Sequence, residues 1–298
     1  MSTLDAYLAR QRARVETALA GYFPPERVHP HRLVEAVRYS LLGGGKRIRP
    51  ILLLAACEAV GGAVEPAVSY ACALEMIHTY SLVHDDLPAM DDDTLRRGRP
   101  TSHVVFGEGL AILAGDALLT EAFHVLAQSV ERDRWPRRAL RAVREIAEAA
   151  GPRGMVGGQA ADLAAEGRVA DLATVEFIHV RKTGALILAA VRAGALIGGA
   201  RAPALQQLTR YGECLGLAFQ IADDVLDAGA PTSVTGKEPG RDGVRHKATF
   251  PAVLGLPAAK QRARELREQA LGALARFDRR ADPLRGIAHL VVGRACEA

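Results

Sequence analysis

Residues 71–100 read ACALEMIHTYSLVHDDLPAMDDDTLRRGRP and join an apolar helical pattern to a dense run of charge. Up to Val83 the apolar residues recur at the spacing of an α-helix. Pro88 predicts that this helix ends soon after Asp85 and Asp86. Three more aspartates follow, and two carboxylates about 4 Å apart repel by roughly 4 kcal/mol at a protein-like dielectric. Acids at a helix C-terminus also oppose the helix dipole, so the cluster indicates a bound cation.

Helical spacing recurs along nearly the whole chain, and alternating strand patterns are absent. Aromatic residues make up only 5% of the sequence, while Ala, Leu, Arg and Glu are abundant, which favours an all-α protein. We predict one all-helical domain over residues 1–298, because the chain has no repeat or flexible linker. Helices are predicted near residues 3–20, 31–42, 50–60, 65–87, 108–130, 136–150, 171–199, 203–228, 248–255, 258–277 and 283–294.

Cysteine usage and hydropathy indicate the compartment. The cysteines Cys57, Cys72, Cys214 and Cys296 are scattered and form no CxxC pair, so we expect small core residues in a reduced cytoplasm. No membrane span is predicted, because Glu58, Asp116 and Arg192 interrupt the best apolar runs.

The types and positions of the basic residues indicate more about a ligand than the net charge of +4 does. Arg-rich stretches alternate with acids, which is typical of solvated helix faces and does not favour nucleic-acid binding. Of the 38 basic residues only five are lysines. Four of them, Lys46, Lys182, Lys237 and Lys247, lie in Gly-, Thr- or Asp-rich contexts, where an ammonium suits a phosphate.

A second acidic cluster lies in GECLGLAFQIADDVLDAGA, residues 212–230. Asp223, Asp224 and Asp227 crowd one edge of an otherwise apolar helix at spacings of three and four. In the first cluster, the break at Pro88 lets Asp91 fold back toward Asp85. Two sets of carboxylates without nitrogen or sulfur ligands indicate Mg²⁺, which shares its coordination shell with phosphate oxygens.

Cationic residues accompany both clusters. GGGKRIRP, residues 43–50, places Lys46, Arg47 and Arg49 after three glycines, where exposed amides suit an anion. It lacks the spacing of a P-loop. The other candidates are Arg96 and Arg97 after the first cluster, Lys182 with Thr183, and Lys237 and Lys247 after the second. Together these residues predict a diphosphate held by metal.

These motifs resemble, in order and spacing, the trans-isoprenyl diphosphate synthases of the polyprenyl synthetase family. The resemblance runs from about residue 30 to 294 and rests on GGGKRIRP, HTYSLVHDDLPAMDDDTLRRGRPTSH, GMVGGQAADL, RKTGAL, FQIADDVLD and HKATFPAVLG. It is closest to bacterial short-chain farnesyl and geranylgeranyl diphosphate synthases. It implies antiparallel helices around a deep central cavity, usually in a homodimer. It also implies condensation of isopentenyl diphosphate with dimethylallyl or geranyl diphosphate, with farnesyl diphosphate as the expected product and geranylgeranyl diphosphate as the alternative.

The resemblance also assigns roles to residues. It implies three Mg²⁺ ions, replaceable by Mn²⁺, on Asp85, Asp86, Asp91, Asp223, Asp224 and Asp227. The isopentenyl diphosphate site would comprise Lys46, Arg49, His78 and Arg97. The allylic diphosphate site would comprise Arg96, Lys182, Thr183, Gln220, Lys237 and Lys247, and Lys182 would also assist catalysis. The chain departs from the family where a Gly-Asp pair is common after the second motif, since it carries Pro231 there.

Product length points to Tyr80. In the resembling family, the residue five before the first aspartate helps to form the floor of the elongation pocket, and an aromatic there accompanies a fifteen-carbon product. A helical wheel alone nominates Ser81, about 40° from Asp85, whereas Tyr80 lies about 140° away. Tyr80 as an ordinary core tyrosine stays open as an alternative.

Three other classes of protein share part of the pattern. A class I terpene cyclase shares the first aspartate motif but needs no second diphosphate site. An HD-type phosphohydrolase could use HDD at residues 84–86 with His78 and His103, but it requires several histidine ligands and leaves the second cluster unexplained. A non-catalytic helical subunit would be expected to lack motif acids, and none is missing here.

Overall fold

The computed structural model describes residues 3–25, 30–168, 170–229 and 249–296 and confirms the all-α fold. Its helices are α1 Thr3–Tyr22, α2 His31–Leu41, α3 Ile48–Ala59, α4 Ala67–Asp85, α5 Ser102–Phe106, α6 Glu108–Arg132, α7 Pro136–Ala150, α8 Met155–Ala165, α9 Leu172–His179, α10 Ala185–Ile197, α11 Ala202–Gly229, α12 Phe250–Leu254, α13 Leu256–Ala273 and α14 Asp282–Cys296. A π-helical turn, Val180–Gly184, joins α9 to α10, and a 3₁₀ turn, Arg279–Ala281, precedes α14. Two short strands, β1 Leu95–Arg96 and β2 Arg99–Pro100, pair antiparallel.

The centre of the bundle is formed by helices that are apolar on every side. Helix α3 carries Leu52, Leu53 and Leu54 in succession, and all three are fully buried, as expected for a helix surrounded by others. Helix α4 packs on α3 and α6, α10 packs on α3 and α7, and α11 packs on α10 and α13. The helix that leads into the first acidic cluster is therefore held on two sides by the core.

Four elements differ from the sequence prediction, and one of them is the short helix α5, which was not predicted. Helix α8 was not predicted, because Gly157 and Gly158 weaken the helical signal of GMVGGQAADL. The predicted helix over 171–199 contains the π turn at Val180–Gly184. The RRGR segment forms a small hairpin, in which Arg97 and Gly98 both have positive φ, 54° and 73°, as a tight two-residue turn requires.

Helix α6 and the cysteines bear on the predicted compartment. Of the described residues, Glu108–Arg132 is one helix that is long and apolar enough to cross a bilayer, although only 39% of its apolar window is buried. The sequence analysis predicted no membrane span here because of Asp116, so α6 meets a length and hydropathy criterion that was considered unmet. Long helices of soluble bundles meet the same criterion, and α6 packs along α4. All four cysteines are free and buried, as predicted.

Candidate active site

The first acidic cluster is a folded-back loop at the end of α4. The helix ends at Asp85, three residues before Pro88. The backbone N–H of Asp91 then donates to the carbonyl oxygen of Asp85 at 2.8 Å, and the N–H of Asp93 donates to that of Asp86 at 3.2 Å. Asp92 has a φ of 46°, a left-handed conformation that Asp tolerates. The predicted return of Asp91 toward Asp85 is confirmed.

The β hairpin separates the two arginines that follow the cluster. Arg96 donates to both oxygens of Asp86, at 2.6–2.9 Å, and this carboxylate is 3% exposed. Burial alone would lower the pKa of Arg96, but the hydrogen bonds and charge of Asp86 outweigh it and raise that pKa. Arg97 instead donates to the carbonyl oxygen of Gly44. The adjacent arginines thus serve different parts of the site.

The glycine run makes room for Arg97. A Cβ on Gly45 would lie 2.6 Å from a guanidinium nitrogen of Arg97, and Gly45 itself has a φ of 137°. A residue with a side chain would be strained at this φ, and its Cβ would force the Arg97 guanidinium to shift. Because Gly45 has no side chain, the glycine loop can contact Arg97, which follows the first acidic motif.

Two members of the predicted isopentenyl diphosphate site contact each other directly. Arg49 Nη1 lies 3.2 Å from His78 Nε2, so the guanidinium donates to a neutral imidazole. Burial and the neighbouring Arg49 lower the pKa of His78 well below its ordinary value. Lys46 lies exposed in the adjoining loop. Lys46 thus lies in the glycine loop, Arg49 on α3, His78 on α4 and Arg97 in the turn of the β hairpin.

Arg47 does not belong to this anion site, contrary to the grouping made from the sequence. Its guanidinium is buried, donates to Glu75 at 2.7 Å and to the Leu41 carbonyl oxygen at 2.7 Å, and lies 3.7 Å from Glu16. Arg47 has a left-handed conformation, with a φ of 52°, and its side chain lies in the core, whereas the adjacent Lys46 is exposed.

The π turn presents Lys182 and Thr183. Lys182 Nζ donates to Asp162 of α8 at 2.6 Å. Burial alone would lower the pKa of Lys182, but Asp162 and Asp85 outweigh it and raise that pKa. A Cβ on Gly158 would lie 2.2 Å from the backbone nitrogen of Lys182, so the glycines of α8 allow it to pack against the turn.

The second acidic motif is tied to the same turn. Thr183 donates to Gln220 at 2.7 Å, and Gln220 donates to Asp224 at 3.0 Å. Asp224 is buried and also accepts the backbone N–H of Phe250 at 3.0 Å. The same oxygen lies 3.6 Å from His179 Nε2. Asp224 is thus held by protein donors. Asp223 is partly exposed and Asp227 is exposed.

One cavity of about 350 Å³ is lined by Arg49 and His78, by Asp85 of the first acidic motif and by Lys182 and Thr183 of the π turn. These five residues form its polar end. Its apolar wall includes Met90, Met155, Val156, Ala160 and Leu163. Both candidates for product length, Tyr80 and Ser81, line the cavity, and so do His84 and Gln159.

Charge interactions link the two motifs across this cavity. Burial, partly offset by Lys182 and reinforced by Asp91, raises the pKa of Asp85 to about 6. Burial lowers the pKa of Arg49, and Asp223 of the second motif counteracts that effect. Asp85 and Asp223 therefore act on cations that line the same space.

The donor set fits Mg²⁺ better than a transition metal. In the described part of the chain, no three His, Cys, Asp or Glu residues converge as a ready-made metal cage. An open set of carboxylate oxygens suits Mg²⁺, which keeps several waters and takes phosphate oxygens from its ligand. His78, His84 and His103 contact Arg49, the Ile112 carbonyl and Thr101 respectively. These three histidines therefore do not form the cluster of metal ligands that an HD-type phosphohydrolase requires.

Several residues that the sequence analysis did not single out belong to the site. They are Asp162, which pairs with Lys182, and the cavity-lining Met90, Met155, Val156, Gln159, Ala160 and Leu163. His84, which also lines the cavity, was considered only as a metal ligand of a phosphohydrolase. The motif GMVGGQAADL was recognisable, but without a predicted helix its residues could not be assigned to a wall. Lys237, Lys247 and Pro231 lie outside the described residues.

Comparison with known proteins agrees with the site. The sequence model of the polyprenyl synthetase family matches residues 30–281. A farnesyl diphosphate synthase of Geobacillus stearothermophilus is 49% identical over 87% of this chain and 87% of its own length. The chloroplastic geranylgeranyl pyrophosphate synthase 12 of Arabidopsis thaliana is 48% identical over 92% of this chain and 76% of its own length.

A solved structure gives the same result for the fold. The FPP/GFPP synthase of Zymomonas mobilis superposes with a TM-score of 0.87 at 40% identity, covering 97% of this chain and 98% of that one. Two acidic motifs, two cationic groups and one helix-lined cavity thus accompany a family match over most of the chain. The chain therefore belongs to the polyprenyl synthetase family and is a short-chain trans-prenyltransferase.

Proposed function

We propose that this chain condenses isopentenyl diphosphate with dimethylallyl and geranyl diphosphate in a Mg²⁺-dependent reaction, with farnesyl diphosphate as the main product. One observation carries the proposal: two separate cationic groups border a single cavity with an apolar wall. Arg49 with His78 marks one diphosphate position, and Lys182 with Asp85 marks the other. The tail of the allylic substrate would extend along Met155 and Leu163.

Mg²⁺ would be held by the aspartates of both motifs, which are Asp85, Asp86, Asp91, Asp223, Asp224 and Asp227. Hydrogen bonds from Arg96 to Asp86 and from Gln220 and Phe250 to Asp224 would orient two of these carboxylates. Three bound ions would neutralise the charge that develops on the leaving diphosphate. The resemblance to the family implies three ions, and we propose that Mn²⁺ can substitute for Mg²⁺.

The chain's own residues supply binding, orientation and exclusion of water. Lys182 is positioned by Asp162 to hold the allylic diphosphate, and Arg49 is positioned by His78 to hold isopentenyl diphosphate. Holding both reactants in one geometry lowers the entropic barrier of a bimolecular step. The apolar wall keeps water from the allylic cation that forms when diphosphate leaves. No side chain in the motifs stands out as a base for the final proton, so we assign that role to the released pyrophosphate.

The product would be limited to fifteen carbons by Tyr80. This side chain is 7% exposed and lines the cavity beside Ser81. A tyrosine ring can close a cavity that serine would leave open, which supports Tyr80 over Ser81 as the floor. Geranylgeranyl diphosphate stays the alternative product, because relatives with both names match at similar identity.

Incubation with isopentenyl diphosphate, each allylic starter and Mg²⁺, followed by measurement of product chain length, tests the function. The expected product is farnesyl diphosphate. A twenty-carbon main product would favour the alternative, and the absence of any condensation product would contradict the proposal. Excess chelator should stop turnover and added Mg²⁺ should restore it; turnover that persists in chelator would contradict the metal dependence.

We further propose a cytoplasmic homodimer. Helices α5 and α6 expose Val104, Val105, Ile112 and Leu113, each 41–54% exposed, and an apolar patch of this kind is typical of an interface. Leu113→Glu should yield a monomer in size-exclusion chromatography with light scattering. An unchanged mass for this variant would place the interface elsewhere.

A further inference from the structure

Gly115 is a tight contact point between α6 and α4. It is buried in the interior of α6. A Cβ at this position would lie 2.1 Å from Nε2 of His84, 2.5 Å from its Cδ2 and 2.8 Å from its Cε1. The imidazole therefore lies directly against the backbone of α6, in space that any other residue would fill.

A hydrogen bond holds the His84 ring against α6. Its Nε2 lies 3.0 Å from the carbonyl oxygen of Ile112, so this nitrogen carries the proton and donates. The ring meets the Tyr80 ring edge-on, at 5.7 Å between centroids. His84 and Tyr80 both line the cavity. The lack of a side chain at Gly115 thus determines how far the His84 ring lies from the cavity.

We propose that the contact between Gly115 and His84 is a second determinant of product length, acting beside Tyr80. This inference rests on the proposed prenyl-chain synthesis and concerns the shape of its cavity. An added methyl at residue 115 would require the ring to move by roughly 1 Å or more to restore an ordinary van der Waals contact. The bulk of α6 blocks one direction, so the ring moves toward the cavity and Tyr80.

Gly115→Ala should therefore shorten the product. The ratio of ten-carbon to fifteen-carbon product should rise by about tenfold or more, the discrimination that about one methyl group of lost space gives in an apolar pocket. Gly109→Ala is the matched control, because it adds the same methyl to the same helix with nothing within 4 Å of its Cβ. Its product distribution should equal that of the unaltered chain.

The variant His84→Ala is an independent test of the proposal. Removing the ring widens the cavity, so the ratio of twenty-carbon to fifteen-carbon product should rise. In the double variant His84→Ala/Gly115→Ala, the added methyl has no ring to displace, so the shortening should disappear. Product ratios are read rather than rates, because His84 adjoins Asp85 and turnover can change for other reasons.

The outcomes separate this inference from the function on which it rests. If the unaltered chain makes no condensation product, both fail. If it makes prenyl diphosphates and Gly115→Ala leaves their lengths unchanged, the inference alone is overturned. If Gly115→Ala does not fold, the product lengths of His84→Ala are the test. Unchanged product lengths in that variant overturn the inference.

Discussion

The buried ion pair between Arg47 and Glu75 separates structure from substrate binding within one motif. Arg47 lies between Lys46 and Arg49, yet its side chain is 1% exposed and that of Glu75 is 3% exposed. Replacing Arg47 by Met leaves the Glu75 carboxylate buried without its partner. Breaking such a pair from one side costs about 3–5 kcal/mol. The free energy of unfolding should fall by that amount.

The double variant Arg47→Met/Glu75→Leu sharpens this prediction. It removes both charges, so most of the lost stability should return. Lys46→Met is the matched control: its side chain is exposed, so the free energy of unfolding should change by less than about 0.5 kcal/mol. The assays are urea denaturation and the KM for isopentenyl diphosphate.

The two single variants should therefore show opposite profiles. Arg47→Met should lose stability, and Lys46→Met should lose affinity for isopentenyl diphosphate. The reasoning would be refuted if Arg47→Met unfolded like the unaltered chain while raising the KM for isopentenyl diphosphate, because Arg47 would then be a substrate contact.

Further predictions concern the site itself. Arg49→Ala should raise the KM for isopentenyl diphosphate by a factor corresponding to about 2 kcal/mol, and equal weakening toward the allylic substrate would contradict two separate diphosphate positions. Because the pKa of Asp85 is raised to about 6, protons compete with Mg²⁺ below that pH, and the Mg²⁺ concentration for half-maximal rate should rise as pH falls through 6. In the metal-free chain the same raised pKa costs stability above pH 6 and the cost is relieved as pH falls; a Mg²⁺ requirement that is flat from pH 7 to 5 would refute this assignment. Tyr80→Ala should shift the product to twenty carbons or longer, and an unchanged fifteen-carbon product would move the floor elsewhere.

The sequence was sufficient where local rules decide the structure. Pro88 and the acids before it predicted both the end of α4 and the return of Asp91, because a proline stops a helix within a few residues. The helical period predicted most other helices. The grouping of Arg49 with His78 came from the resemblance to the family, and the structure places the two side chains 3.2 Å apart.

Long-range packing explains what could not be read from the chain. Arg47 has the same chemistry as its neighbours, and only its partner Glu75, 28 residues away, makes it structural. Helix α8 was missed because its glycines lower helix propensity while serving a close contact with the turn at Lys182. His84 and Gly115 lie on different helices, and their contact leaves no periodic signal.

Incorporation of labelled isopentenyl diphosphate by three isosteric variants tests the central claim that the paired motifs form one metal-diphosphate site. Asp85→Asn and Asp223→Asn each remove a carboxylate that we assign to Mg²⁺. Asp92→Asn removes one from the same cluster outside the motif positions, and Asn tolerates its left-handed backbone. Asp85→Asn and Asp223→Asn should lower kcat by orders of magnitude with an unchanged helical circular dichroism spectrum, while Asp92→Asn stays near the unaltered rate. Normal turnover in Asp85→Asn or Asp223→Asn would contradict the account, and the acids concerned would be an ordinary solvated cluster.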